Sequence, residues 1–147
     1  MSDHIKMIYL GGPTIILKID SFKIITDPTL DAAGTKFPDN IHPIYWKLNG
    51  PAVKDVGNID LVLLSHDQHG DNLDNKGREL LKEIPLTLTT KAGAERLQHN
   101  AKGLAPWENL IVHSTTEIEI SITATPARHK PTDIEKITGE VLILSFQ

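Results

Sequence analysis

The 147 residues include no cysteine, which excludes disulfides and thiolate metal sites together and leaves any metal to histidine, carboxylate and water. Long hydrophobic runs are missing too, so no segment is apolar for long enough to span a bilayer. The opening MSDHIKMIYLGG lacks the basic stretch, apolar core and small cleavage residues of a signal peptide, which predicts a cytoplasmic protein. Basic residues are not in surplus. Fifteen Lys and Arg stand against nineteen Asp and Glu, a formal charge of −4 with the lysines scattered, which argues against nucleic acid or an anionic membrane as partner. There are no internal repeats and no low-complexity tract. A chain of this length closes one core without staples, so 1–147 is expected to form a single domain.

What is present is a series of short β-like segments and seven histidines. MIYL (7–10), TIILKI (14–19) and FKIIT (22–26) are separated by Gly11-Gly12-Pro13 and Asp20-Ser21, turn chemistry that predicts an antiparallel meander. Residues 27–58 have no sustained period and are rich in Pro, Gly, Asp and Asn. A loop this long inside a compact domain is usually functional. LVLLS (61–65) is apolar on both faces, as a central strand covered from both sides would be. Short helices are predicted over Asn75–Ile84 and Lys91–His99, with LTLTT (86–90) as a strand between them. LIVHS (110–114), EISITAT (119–125) and VLILSF (141–146) follow as strands. The fold class is α/β, a mixed sheet with flanking helices.

The segment DLVLLSHDQHGDNLD, residues 60–74, empties a buried strand into two histidines, carboxylates and amides. Strand ends are frequent site positions, because the backbone there is fixed while the loop beyond can aim side chains. Gly70 lets the loop coil so that His66 and His69 converge, and neutral imidazole with carboxylate suits zinc, manganese or iron. The bland alternative is a polar loop whose Asp71, Asn72 or Asp74 caps the helix starting near Asn75. A second strand end, TATPARHKP (123–131), brings His129, a candidate third ligand that would leave an open position for water. His4, His42, His99 and His113 have no partner at ligand spacing. Trp46 and Trp107 read as packing residues, and Gly11-Gly12 as a turn rather than a phosphate loop.

Four blocks in order, GGPTIILKIDSFKIITDPTLD, DLVLLSHDQHGDNLDNKGREL, LTTKAGAERLQHNAKGLAPWE and TATPARHKP, resemble the metallo-β-lactamase-fold hydrolases, and within them the UlaG-like branch. The resemblance implies a metallo-β-lactamase-like αββα sandwich and metal-dependent hydrolysis of a small-molecule substrate, with loop 27–58 shaping its pocket. It implies His66 as first ligand. The second falls on His69 or Gln68, because the loop carries one residue more than the family's spacing; His69 is preferred, an amide being a weak zinc ligand. Asp71 matches the aspartate that serves a second metal or orients the attacking water, and His129 matches the next histidine. Asn72 stands where the family's loop ends in histidine, so one ion, Zn or Mn, is expected rather than two. Asp27 in the TDP segment, with Gln68 and Asn72, is expected to support the ligands rather than join them.

The family's second half, with a bridging aspartate and a last histidine, finds no match, so the chain reads as the N-terminal half of the fold. Half a sandwich exposes the inner face of its sheet, and a homodimer covering that face is the expected partner. The other reading is a non-catalytic relative acting as a binding or assembly module, or an inactive fragment.

Overall fold

The computed structural model describes residues 5–37, 46–114, 119–128 and 141–146. The first three strands, β1 (Ile5–Gly11), β2 (Thr14–Ile19) and β3 (Phe22–Thr26), form the expected antiparallel meander. Gly11 and Gly12 turn the first corner with positive φ, 131° and 53°, a conformation that glycine adopts without steric cost. From β3 onward the pairing is parallel, through β4 (Leu61–Leu63), β5 (Thr87–Thr90) and β6 (Ala101–Leu104). Parallel neighbours need crossovers. Helices α1 (Asn75–Leu81) and α2 (Lys91–Leu97) provide two of them, and the stretch that includes loop 27–58 provides the third. A second sheet pairs β7 (Asn109–His113), β8 (Glu119–Ala127) and β9 (Val141–Phe146) antiparallel.

Alternation along β3 and β4 sends side chains to opposite faces, and both faces are covered. Ile24, Leu61 and Leu63 join Leu88, Leu104, Ile120, Ile122 and Ala124 in a core between the sheets. Ile25, Val62 and Leu64 join Leu73, Leu81 and Ile84 in a core beneath the helices and loops. The all-apolar LVL of β4 is fully buried, as its composition requires for a strand at the sheet's centre.

The inner face is therefore not bare, as half a sandwich had implied, except at one edge. Met7 pairs with Leu17 of the inter-sheet core, so Ile5, Met7 and Tyr9 point to that same face. They remain 58%, 64% and 63% exposed.

The helices are shorter than predicted and end at Leu81 and Leu97. AKGL, unpredicted, is strand β6; four residues carry no period, and only parallel pairing with β5 makes them a strand. Trp46 and Trp107 do not pack: they are 58% and 70% exposed on loops. Trp107 sits in a turn with a left-handed φ of 67°.

Helix α1 lies so close to the β3 exit that a Cβ at Gly77 would overlap the Pro28 carbonyl oxygen, a backbone atom. Gly77→Ala should therefore destabilise the fold by about 1–3 kcal/mol, although alanine is normally the better helix former. Urea denaturation of the variant measures this, and an unchanged or raised midpoint would contradict the packing described.

Candidate functional site

Loop 65–74 leaves the buried end of β4 and is pinned at every turn. Within it the amides of Asn72 and Leu73 donate to the His69 carbonyl at 3.1 and 3.0 Å, coiling the chain through one turn. At its far end Asp74 caps α1: one carboxylate oxygen accepts from the Gly77 amide at 2.9 Å, as N-cap aspartates do. Its other oxygen takes the Asp31 amide and the buried Lys47 ammonium, at 2.7 and 3.0 Å. Asp31 adds a second cap, accepting from the Asn75 and Lys76 amides. Of the three residues that could have capped the helix, Asp74 does so. Asp71 and Asn72 are left for other roles.

Asp67 is absorbed into the structure as well. Its buried carboxylate is gripped by Arg96 of α2, Nε to Oδ2 at 2.9 Å and Nη2 to Oδ1, and its carbonyl accepts from Arg78 of α1. This hydrogen bond holds the Arg96 guanidinium above its ordinary pKa. Both helices thus anchor the loop through one residue. The pair was invisible in the sequence, its partners being 29 positions apart.

The two histidines are both buried, and their rings meet edge to face with centroids 5.1 Å apart. His66 Nδ1 lies 3.0 Å from Ser65 Oγ. The Gln68 side chain between them places Oε1 in the interior, with no hydrogen-bond partner among the described residues. Asp71 is exposed and stands with Asn72 in the wall of a cavity of about 630 Å³. Loop 27–58 supplies much of that wall, including Thr29, Phe37, Leu48 and Pro51, and the Gly11-Gly12-Pro13 turn closes another side.

Asp27 sits behind this arrangement, with a left-handed φ of 31°. Its Oδ1 accepts from the Ser65 amide at 2.7 Å and its Oδ2 from Asn72 Nδ2 at 3.2 Å; Asn72 Nδ2 also donates to Ser65 Oγ at 3.2 Å. The link from Asp27 to His66 therefore runs through Ser65 and Asn72. Burial pushes the Asp27 carboxyl above its ordinary value of 3.8, against those hydrogen bonds, with the nearby Asp71 charge pushing the same way.

Whether these residues suit a divalent cation rests on their chemistry. Two buried imidazoles side by side, with an interior carbonyl oxygen lacking a donor, form a nitrogen and oxygen set of the kind zinc and manganese accept. Among the described residues, however, no three His, Asp or Glu converge as a ligand set, so Asp71 does not complete one with His66 and His69. His129, the expected third nitrogen, lies outside the described residues, as do His4 and His42. His113 is exposed and faces Glu119 at 3.6 Å on the second sheet, away from this loop. Among the described residues no helix is long and apolar enough to cross a membrane.

Because burial keeps a proton on Asp27 above 3.8, the folded chain binds more protons than the unfolded one from there up to the raised value. Stability should fall as pH rises through that window, the sign set by the excess of bound protons in the folded state. Asp27→Asn should flatten this fall. Urea denaturation across acidic pH tests it; equal slopes in both proteins would refute the assignment.

No family model matches the chain, and no curated protein does. Solved structures do share its fold. A possible metal-dependent hydrolase from Veillonella parvula DSM 2008 superposes with a TM-score of 0.71 at 15% identity, over 96% of this chain and 57% of that one. An isothiocyanate hydrolase from Delia radicum gut bacteria gives 0.71 at 19%, over 96% and 57%. CmlA, a diiron β-hydroxylase from Streptomyces venezuelae, gives 0.65 at 15%, over 100% and 28%. At such identities the likeness establishes the fold, the metallo-β-lactamase-like α/β architecture. The chain spans 57% of the length of each of the two hydrolases.

Proposed function

We propose that the chain carries the metal-binding part of a metal-dependent hydrolase of the UlaG-like branch, acting on a small molecule in the cytoplasm. The observation that carries this reading is the buried, edge-on pair His66 and His69 at the exit of β4. Support comes from the two fold neighbours described as hydrolases. In this reading His66, His69 and His129 hold one divalent ion, zinc or manganese, and Asp71, expected from the sequence as a further ligand, serves the attacking water instead. Asn72 favours one ion over two, because its amide is spent on Asp27 and Ser65.

When bound, such an ion supplies a Lewis acid and a water made acidic near neutral pH. The chain's own residues do the rest. The 630 Å³ cavity takes the substrate, with Phe37, Leu48 and Pro51 offering it apolar walls. In this reading Asp71, exposed at the cavity wall, takes or holds the proton from the attacking water. Lys47, although it lines the cavity, is neutralised by Asp74 and does not offer a cation to an anionic substrate.

Metal content by plasma mass spectrometry tests the site, on protein prepared without chelator and dialysed against trace zinc and manganese. The expected result is about one ion per chain, lost in His66→Ala, in His69→Ala and in His129→Ala. Metal-free unsubstituted protein would remove the reading.

One observation favours a second reading, an assembly module. The apolar strip Ile5, Met7 and Tyr9 lies open on edge strand β1, and edge strands with apolar faces invite pairing. A homodimer joined there should run as a dimer in light scattering at micromolar concentration and shift to monomer on Met7→Lys. A monomeric unsubstituted chain would rule it out.

A further inference from the structure

We infer that the cavity between α1 and α2 is a binding site for a phosphoryl group, free or carried on a small molecule, with Thr87 at its base and Arg78, Lys82 and Arg96 around it. The site is separate from the histidine cluster and does not rest on the metal reading.

The cavity, of about 280 Å³, lies where β5 and β6 begin, whereas the histidine loop leaves the end of the sheet where β4 finishes. Strand register puts Thr87 on the helix side of the sheet. It pairs with Val62, which belongs to the core beneath the helices, while the next residue, Leu88, joins the core between the sheets. Thr87 is only 2% exposed, and its Oγ1 has no hydrogen-bond partner among the described residues. A buried hydroxyl left unpaired costs stability, so one that lines a cavity calls for a partner entering from that cavity.

The charge around this hydroxyl is one-sided, although the chain as a whole carries −4. Arg78, Lys82 and Arg96 line the cavity, and no aspartate or glutamate does. Asp67 neutralises Arg96 through Nε and Nη2, which leaves Nη1 to donate. Arg78 gives Nη2 to the Asp67 carbonyl, a neutral acceptor, and neither it nor Lys82 forms an ion pair among the described residues. The two stand four positions apart at the end of α1, on one face, where like charges repel. Helix C-terminal ends favour cations, which accounts for Arg78 and Arg96 in the last turns of α1 and α2. It does not account for the unpaired hydroxyl between them. A phosphoryl group answers both features. Its oxygens accept from the remaining guanidinium N–H groups and from Thr87, and its charge, about −1.5 to −2 at neutral pH, offsets Arg78 and Lys82. The turn after α2 closes the site: Gln98 and His99 have left-handed φ of 57° and 50°, and Asn100 Nδ2 donates to the Ile84 carbonyl at 3.0 Å. Pockets for drug-sized ligands span roughly 300–1,000 Å³, so this smaller one suits phosphate or a small phosphate monoester.

The test is a titration followed by proton–nitrogen-15 NMR of the labelled, metal-free full chain. Inorganic phosphate is the probe in one arm and glycerol 3-phosphate in the other, at an ionic strength held constant with sodium chloride. Saturable shifts should gather at the amides of Thr87 and residues 98–101. Thr87→Val, which keeps the side chain's shape and removes the hydroxyl, should weaken binding about 10-fold or more. Lys82→Gln should weaken it about 2–5-fold, the effect of one exposed charge. The tighter-binding arm tells whether the group arrives free or on a small molecule. Absence of saturation at millimolar concentrations of both probes would overturn the inference. So would shifts centred on Asp71 and Asn72, or a Thr87→Val chain that binds as tightly as the unsubstituted one. Should Thr87→Val not fold, Lys82→Gln and the location of the shifts still decide. Because the titration contains no metal, failure of this site and failure of the metal site are read separately.

Discussion

Asp27 joins the ends of β3 and β4, and the geometry of the candidate site descends from that junction. Its carboxylate takes the Ser65 amide and the Asn72 side chain, while its own backbone is tied to Leu63 and Thr14. Hydrogen bonds to an ionised acceptor contribute about 1.5–3 kcal/mol each, whereas burying a charge costs several. The raised carboxyl pKa shows which effect wins: desolvation exceeds the hydrogen bonds. A left-handed backbone adds its own cost, of order 1–3 kcal/mol for a residue other than glycine. Such a residue keeps its place because its backbone and its carboxylate are both tied, to Leu63 and Thr14 and to Ser65 and Asn72.

The same logic extends through the loop that follows. A polar segment of ten residues would normally move, but this one is clamped by residues from elements on every side. Arg96 and Arg78 hold Asp67 from two helices, and Asp31 and Lys47 lock Asp74 at the start of α1. Rigidity of this kind is what a site needs if two imidazoles are to stay within reach of one ion. It also divides the acidic residues by task. Asp67 and Asp74 are consumed by structure, whereas Asp71 stays exposed at the cavity.

Likeness of fold does not extend to chemistry. The architecture is shared with proteins described as hydrolases and with a diiron hydroxylase, so the fold by itself does not fix the reaction. The loop after β4 carries two amides, Gln68 and Asn72, beside its two histidines. Asn72 here works as a strut between Asp27 and Ser65 rather than facing outward.

Much of the scaffold was legible along the chain, because it follows from local pattern. Alternation and turn residues define the first three strands, the unbroken apolarity of LVL places β4 at the centre, and Asp74 ahead of Asn75 is a helix start. The histidine cluster at the exit of β4 was legible for the same reason, whereas Asp27 drew attention only through the family resemblance, and its bonds to Ser65 and Asn72 join residues 38 and 45 positions away. Other features depend on distance in sequence and could be settled only by folding. AKGL becomes a strand because β5 lies beside it, and Trp46 and Trp107 stay largely exposed, which no local pattern announces. Asp67 becomes structural because Arg96 arrives from 29 residues on; Asn72 becomes a strut because Asp27 is 45 residues back. Residue type and spacing therefore determined which side chains were available at the site. Only tertiary structure decided which of them are spent on hydrogen bonds and which remain for chemistry, since that depends on partners that local sequence does not contain.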